Sequence, residues 1–265
     1  MYDEKKRRVI TCVVFAAISA ALAAFRVFIL NNYVEKTNGL YTNAAVGNAF
    51  FFAMLALVLI PVATAFVIKW DVKERRPLEK TASVRVGAFI CMVAFSAFSV
   101  YNIMNALKTQ KWEIAPSVLM AFALLSALHF ALLAFGKENV SPENSLMPAF
   151  PAIFSAAAII FMFLDTSSQI NASDRSYTLL AMVLAMYFFI CEAERSVILR
   201  KDEMALKALK SAERKFFIAG VISFSVIIAV CVPQLICEKN YGAEFLRNML
   251  LVSFGLYAFV RTAKL

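Results

Sequence analysis

Apolar residues gather into eight runs along this chain, at 9–30, 48–67, 86–107, 116–135, 147–164, 177–193, 216–237 and 243–260, with polar residues collected between them. Each run meets or approaches the roughly 20 helical residues that cross a hydrocarbon core about 30 Å thick. Backbone groups left unpaired in lipid are too costly, so each run is predicted to be a helix. A barrel is excluded, because its strands need only about 9 to 11 residues. The predicted fold class is all-α, a polytopic transmembrane helical bundle of about eight spans.

The polar segments alternate between dense and sparse positive charge. Twenty lysines and arginines fall on one side of the predicted bundle and six on the other, leaving Arg26 inside the first span. Positive charge is retained in the cytoplasm, so both termini are expected there, in the cell membrane of a multi-pass protein. Dropping one span would reverse every later loop and spoil the contrast. A competing reading starts from the basic residues at 5–8 and Ala21-Leu22-Ala23, which resemble a cleavable leader with an A-x-A site. The apolar run continues through Val27-Phe28-Ile29-Leu30, long enough for an uncleaved anchor. A seven-span product would not be a retinal protein, since no lysine lies between Met249 and Val260.

Composition agrees with a membrane domain that has little appended: 62% of the 265 residues are hydrophobic, mean hydropathy is +0.72 and 17% are charged. The net charge of +9 sits beside spans, which points to anionic lipid headgroups and away from nucleic acid. One membrane domain over 1–265 is the simplest organisation. The halves 1–135 and 136–265 share a layout of four spans around a long basic loop, as in the parallel repeats of some transporters. Residues 196–215 mix Ile198, Leu199, Met204, Leu206 and Leu209 with charges at near-helical spacing, so a cytoplasmic amphipathic helix is expected there, extending the sixth span or lying on the membrane.

Candidate chemistry is sparse. Arg26 lies about one turn inside the outer end of the first span, where a charge must pair, line water or snorkel. Asn48, Tyr101, Asn102, Asn105, Asp165 and Arg247 are predicted at a similar level. A ligand-binding pocket of Arg26, Asn102, Asn105, Asp165 and Arg247 would favour a small polar or anionic solute. Ser96, Ser99, Asn102 and Asn105 form a polar stripe on the third span, expected to hydrogen-bond between helices. Toward the inner side His129 and Glu192 are candidates for proton coupling; a histidine bonded between helices and a Glu192/Arg195 cluster among headgroups are the plainer readings. Ala16, Ala20 and Ala24 are expected to let helices approach closely.

Five cysteines without a C-x-x-C pair, and one histidine, give no expectation of a metal or cofactor. The chain has no P-loop, dinucleotide fingerprint, H-E-x-x-H or nucleophile elbow, so soluble-type catalysis is not expected.

Arg26 followed by Asn31-Asn32-Tyr33-Val34-Glu35-Lys36-Thr37-Asn38-Gly39-Leu40-Tyr41 resembles a segment of multi-span membrane proteins of clostridial-type bacteria. The resemblance covers about 20 residues and implies a bacterial cytoplasmic membrane without implying an activity. From the residues themselves, Asn38-Gly39 is a tight turn and Tyr41 an interfacial anchor. Two functions follow: a small transporter or permease for a polar or anionic solute, or a non-transporting scaffold or sensor that engages a partner or lipid through the 196–215 helix. A second copy of the chain is a further candidate partner.

Overall fold

The computed structural model describes residues 2–35, 40–68, 81–136, 147–164, 173–200, 206–237 and 242–263. Eight helices account for nearly all of them: α1 (Tyr2–Asn32), α2 (Ala44–Val67), α3 (Ala82–Thr109), α4 (Ile114–Phe135), α5 (Ala149–Leu164), α6 (Ser173–Arg200), α7 (Leu206–Cys237) and α8 (Ala243–Ala263). Seven are long and apolar enough to cross a membrane; α5 has 16 residues, about 24 Å of helix. The protein is therefore a multi-pass membrane protein built as a helical bundle.

Six helices close a ring, each packing on the next from α3 through α8 and α8 returning to α3, with α6 also touching α8. α1 and α2 lie on the outer side of α7. α7 is the centre of this arrangement: 83% of its most apolar stretch is buried, against 28% for α1 and for α2. Counterpart pairs in the two halves differ, since α6 packs along α7 whereas α2 and α3 share no contact among the described residues. The loop layout repeats; the packing of these pairs does not.

α1 packs on α7, and its buried row is Cys12, Phe15, Ser19, Ala23, Arg26 and Ile29, which recur every three or four residues. Ala16, Ala20 and Ala24 were expected on that seam. Ala20 and Ala24 are exposed instead, because a row offset by one residue is turned about 100° around the helix. The polar stripe of α3 also resolves differently from the expectation. Ser99 donates to the Phe95 carbonyl and Asn102 to the Phe98 carbonyl, each one turn back on its own helix.

Ties between helices are made elsewhere. Ser223 donates to the Leu184 carbonyl at 2.7 Å, and Cys91 to the Ser253 carbonyl at 3.3 Å. The 196–215 segment does not form one helix. Lys215 and Glu194 are 2.8 Å apart, whereas 21 residues of continuous helix would separate them by about 31 Å. The chain turns back instead, so that the end of α6 and the start of α7 lie side by side; residues 201–205 lie outside the described residues.

α7 and α8 approach closely at Gly220. A Cβ there would stand 1.9 Å from Thr262 Oγ1 and 3.3 Å from the Phe188 ring. Thr262 is buried and its hydroxyl donates to the Ala258 carbonyl at 2.6 Å, so it cannot swing aside without losing that bond. Gly220→Ala is predicted to cost about 1–3 kcal/mol by overpacking, read as a lower melting temperature in detergent. Adding Thr262→Ala should recover part of the loss.

Candidate functional site

The candidate residues fall at three separate places. Arg26, near the C-terminal end of α1, is 1% exposed. Its guanidinium lies over the rings of Phe50 at 4.7 Å, Tyr177 at 5.1 Å and Tyr41 at 5.4 Å, and donates to the Tyr41 hydroxyl. A short hairpin delivers Tyr41: Val34 bridges Tyr41, Glu35 N–H donates to Leu40 and Thr42 N–H donates to Tyr33. Gly47 makes room for the ring, since a Cβ there would meet Tyr41 at 2.8 Å. Tyr41 thus closes over Arg26. The Asn38-Gly39 turn lies outside the described residues.

Asn102 and Asn105 lie elsewhere, in a crevice of about 450 Å³ between the end of α3 and the start of α4. α1 and α3 do not touch among the described residues, so Arg26 and these amides do not form one pocket. Arg247 pairs with Glu244 on its own helix at 3.7 Å, and Asp165 lies outside the described residues. Among the described residues Arg26, Asn102, Asn105 and Arg247 are therefore not seen in one pocket. Residues at one membrane depth need not face one another, and depth is all that position along a span encodes.

The third place is buried at the opposite end of the bundle, where α4, α6, α7 and α8 converge. Glu192 of α6 is 1% exposed, and its Oε1 accepts from Tyr257 Oη and Arg261 Nε of α8, both at 2.8 Å. Tyr257 and Arg261 are four residues apart and project from one face, which lets both reach the same oxygen. Arg195, one turn beyond Glu192, reaches Glu213 of α7 at 3.4 Å. It also feels the charges of Glu192 and Arg261. His129 of α4 is 1% exposed, lies within electrostatic range of Glu192 and Arg261, and packs its ring on Phe130 at 5.0 Å. Glu192 and Arg195 are thus interior groups and not a cluster among headgroups.

This centre carries unused hydrogen-bonding capacity. Glu192 Oε2, Arg261 Nη1, both His129 ring nitrogens, and Arg195 Nε and Nη1 are buried with no hydrogen-bond partner among the described residues. Leaving such atoms unpaired costs on the order of 1–3 kcal/mol each, so their gathering around one carboxylate is a concentration of polar groups that the described residues do not satisfy. The two arginines and two glutamates balance in formal charge. Phenylalanines seal the centre toward the middle of the bundle: Phe130 packs on Tyr257 at 5.1 Å, and Phe95 on Phe254 and Phe154 at 5.1 Å each.

The sequence singled out His129 and Glu192 but missed Tyr257, Arg261 and Glu213. Arg261 reads as one more loop charge at the end of a span. The signal that could have found it is the Tyr257/Arg261 spacing beside the Glu192/Arg195 spacing, two short polar faces in otherwise apolar helices. Among the described residues no group of His, Cys, Asp and Glu could hold a metal ion.

No protein-family model, no curated protein and no solved structure matches this chain.

Breaking a buried pair by removing one partner strands the other charge. Glu192→Ala is predicted to destabilise the protein by about 3–5 kcal/mol, whereas Glu192→Leu combined with Arg261→Met should melt close to the native temperature in detergent. Recovery by the apolar pair would mean that the charges are held for a purpose other than stability.

Proposed function

We propose that this integral membrane protein is a carrier for a small polar or anionic solute, with the Glu192 centre as the point where solute and proton meet. The observation that carries the reading is the unpartnered set around one buried carboxylate: Glu192 Oε2, Arg261 Nη1 and the two His129 nitrogens. These atoms offer one acceptor edge, one cationic donor and a ring able to act as either donor or acceptor.

Charge balance gives the coupling. With Glu192 ionised, Arg261 has its counter-charge. When Glu192 takes a proton, Arg261 loses it, and an incoming anion restores it. The centre then passes from a carboxylate–guanidinium pair to a neutral acid, a guanidinium and a guest anion, with no net charge gained. One proton travels with one anion, and His129, which is within range of both groups, is suited to relay that proton.

The positive-charge bias supports the Glu192 end as cytoplasmic, with Lys207 and Lys210 among the exposed cations of that end that could meet anionic headgroups. A bacterial cytoplasmic membrane is implied by the resemblance of the Arg26 to Tyr41 segment. A second reading, a scaffold or sensor that meets a partner at the start of α7, is favoured by the exposed Lys207 and Lys210.

The test is flux into proteoliposomes loaded with a pH-sensitive dye and challenged in turn with formate, acetate, nitrate and inorganic phosphate. The expected result is acidification of the lumen with at least one anion, unaffected by clamping the membrane potential and lost in Glu192→Gln. If no anion exceeds protein-free liposomes while native protein remains folded, the carrier reading is wrong. An acidification that survives Glu192→Gln removes this centre from the coupling.

A further inference from the structure

The crevice between α3 and α4 is distinct from the Glu192 centre. Along α3 it begins at Asn102, eleven residues or about 16 Å beyond Cys91, which lies at the level of the centre and feels the charge of Glu192. Phe95 and Phe98 of α3, both packed on Phe154, stand between the two places. α3 ends at Gln110 in a left-handed conformation, φ 52°, and the chain turns at once into Lys111, Trp112 and Glu113 before α4 begins. That turn sets an ammonium, an indole and a carboxylate on the mouth of a cavity of about 450 Å³, within the size range of small-molecule sites.

The polar lining is of both signs. Lys111 and Glu113 are exposed and enter no ion pair among the described residues. Deeper in, Asn102 commits its amide N–H to the Phe98 carbonyl and keeps its oxygen as an acceptor. A ligand bearing only negative charge would meet the Glu113 carboxylate, and one bearing only positive charge would meet Lys111. A zwitterion satisfies both, with its anionic group on Lys111 and its ammonium on Glu113 and the Trp112 face.

The rim is apolar. Leu107, between lining positions of α3, is 63% exposed, and Ile114, at the start of α4, is 80% exposed; Trp112 itself is 60% exposed, as befits a residue at the membrane–water boundary.

We propose that this crevice binds a zwitterion of the ammonium–phosphate kind, the chemistry shared by a phosphatidylethanolamine headgroup and by free phosphoethanolamine. The site does not depend on the carrier reading. Its seat at the interface gives either source access, from the outer leaflet along Leu107 and Ile114 or from solution past Lys111.

Trp112 is one of only two tryptophans, so a Trp70→Phe background leaves it as the reporter. Detergent-solubilised protein in that background is titrated separately with a short-chain phosphatidylethanolamine, phosphoethanolamine, ethanolamine and inorganic phosphate, following Trp112 emission. The expected result is a saturable change with a zwitterion, about tenfold weaker in Lys111→Ala and in Glu113→Gln, and about tenfold weaker with ethanolamine or phosphate alone. A response to the phospholipid alone assigns the lipid as the source. A response to both, or to phosphoethanolamine alone, assigns the free head as sufficient. Both substitutions are at exposed positions of the connection, and an unchanged melting temperature confirms that they fold. No saturable response to either zwitterion overturns the proposal, as does a response that neither substitution weakens or one that inorganic phosphate reproduces at equal affinity.

Discussion

A helix surrounded by hydrocarbon gains nothing from burying leucine against leucine, because lipid tails are as apolar as the side chains they would replace. Association must come from close packing and from polar ties that lipid cannot satisfy. The Glu192 carboxylate provides one such tie in this bundle. It accepts two bonds from α8 on one oxygen and so binds α6 to α8 across the ring. Among the described residues other ties between helices include Arg195 to Glu213, Thr178 to Gln234, Ser223 to Leu184 and Cys91 to Ser253. Packing supplies the rest, most visibly where Gly220 admits Thr262 and where Gly255 would bring a Cβ to 3.0 Å from Ile227.

Two guanidinium groups are buried in different ways. Arg26 lies among the faces of Phe50, Tyr177 and Tyr41, whose quadrupoles attract a weakly hydrated planar cation. Arg261 lies against a carboxylate and a phenol, with Nη1 left over. Among the described residues the two guanidinium groups thus differ in their partners, aromatic faces for Arg26 and a carboxylate for Arg261.

The fold class was legible because bilayer thickness converts directly into run length, and the alternating charge of the connections confirmed the count of helices. Facing was less legible. The run 9–30 is apolar nearly all round, so the sequence could not distinguish the Cys12, Phe15, Ser19 row from the Ala16, Ala20, Ala24 row. In hydrocarbon both faces are apolar, and the 3.6-residue contrast that marks the buried side of a soluble helix is erased. The site was half legible for a related reason. His129 and Glu192 stand out as ionisable groups inside spans, whereas Arg261 and Glu213 sit where loop charges are ordinary. Tyr41 was visible as an aromatic near the interface, but its contact with Arg26 depends on a hairpin reversing the chain, which no periodicity encodes.

The distribution of polarity along the bundle sets what any carrier motion must accomplish. Polar groups open the crevice at Asn102 and Asn105 and line the centre at Glu192, while Phe95, Phe98, Phe130, Phe154, Phe189 and Phe254 fill the space between them. A bare anion among those rings would meet low dielectric and no donor, a cost of several kcal/mol or more. In the proposed carrier a proton on Glu192 would let Arg261 face the guest, and the resulting neutral set avoids that cost. The rings themselves are held edge to face and stacked at 4.9–6.3 Å, contacts that re-form in new registers when helices slide, without leaving a hydrogen bond broken. In the proposed carrier the Glu192 bonds to Tyr257 and Arg261 join α6 to α8 across the ring, so a proton on Glu192 would weaken the tie between those two helices.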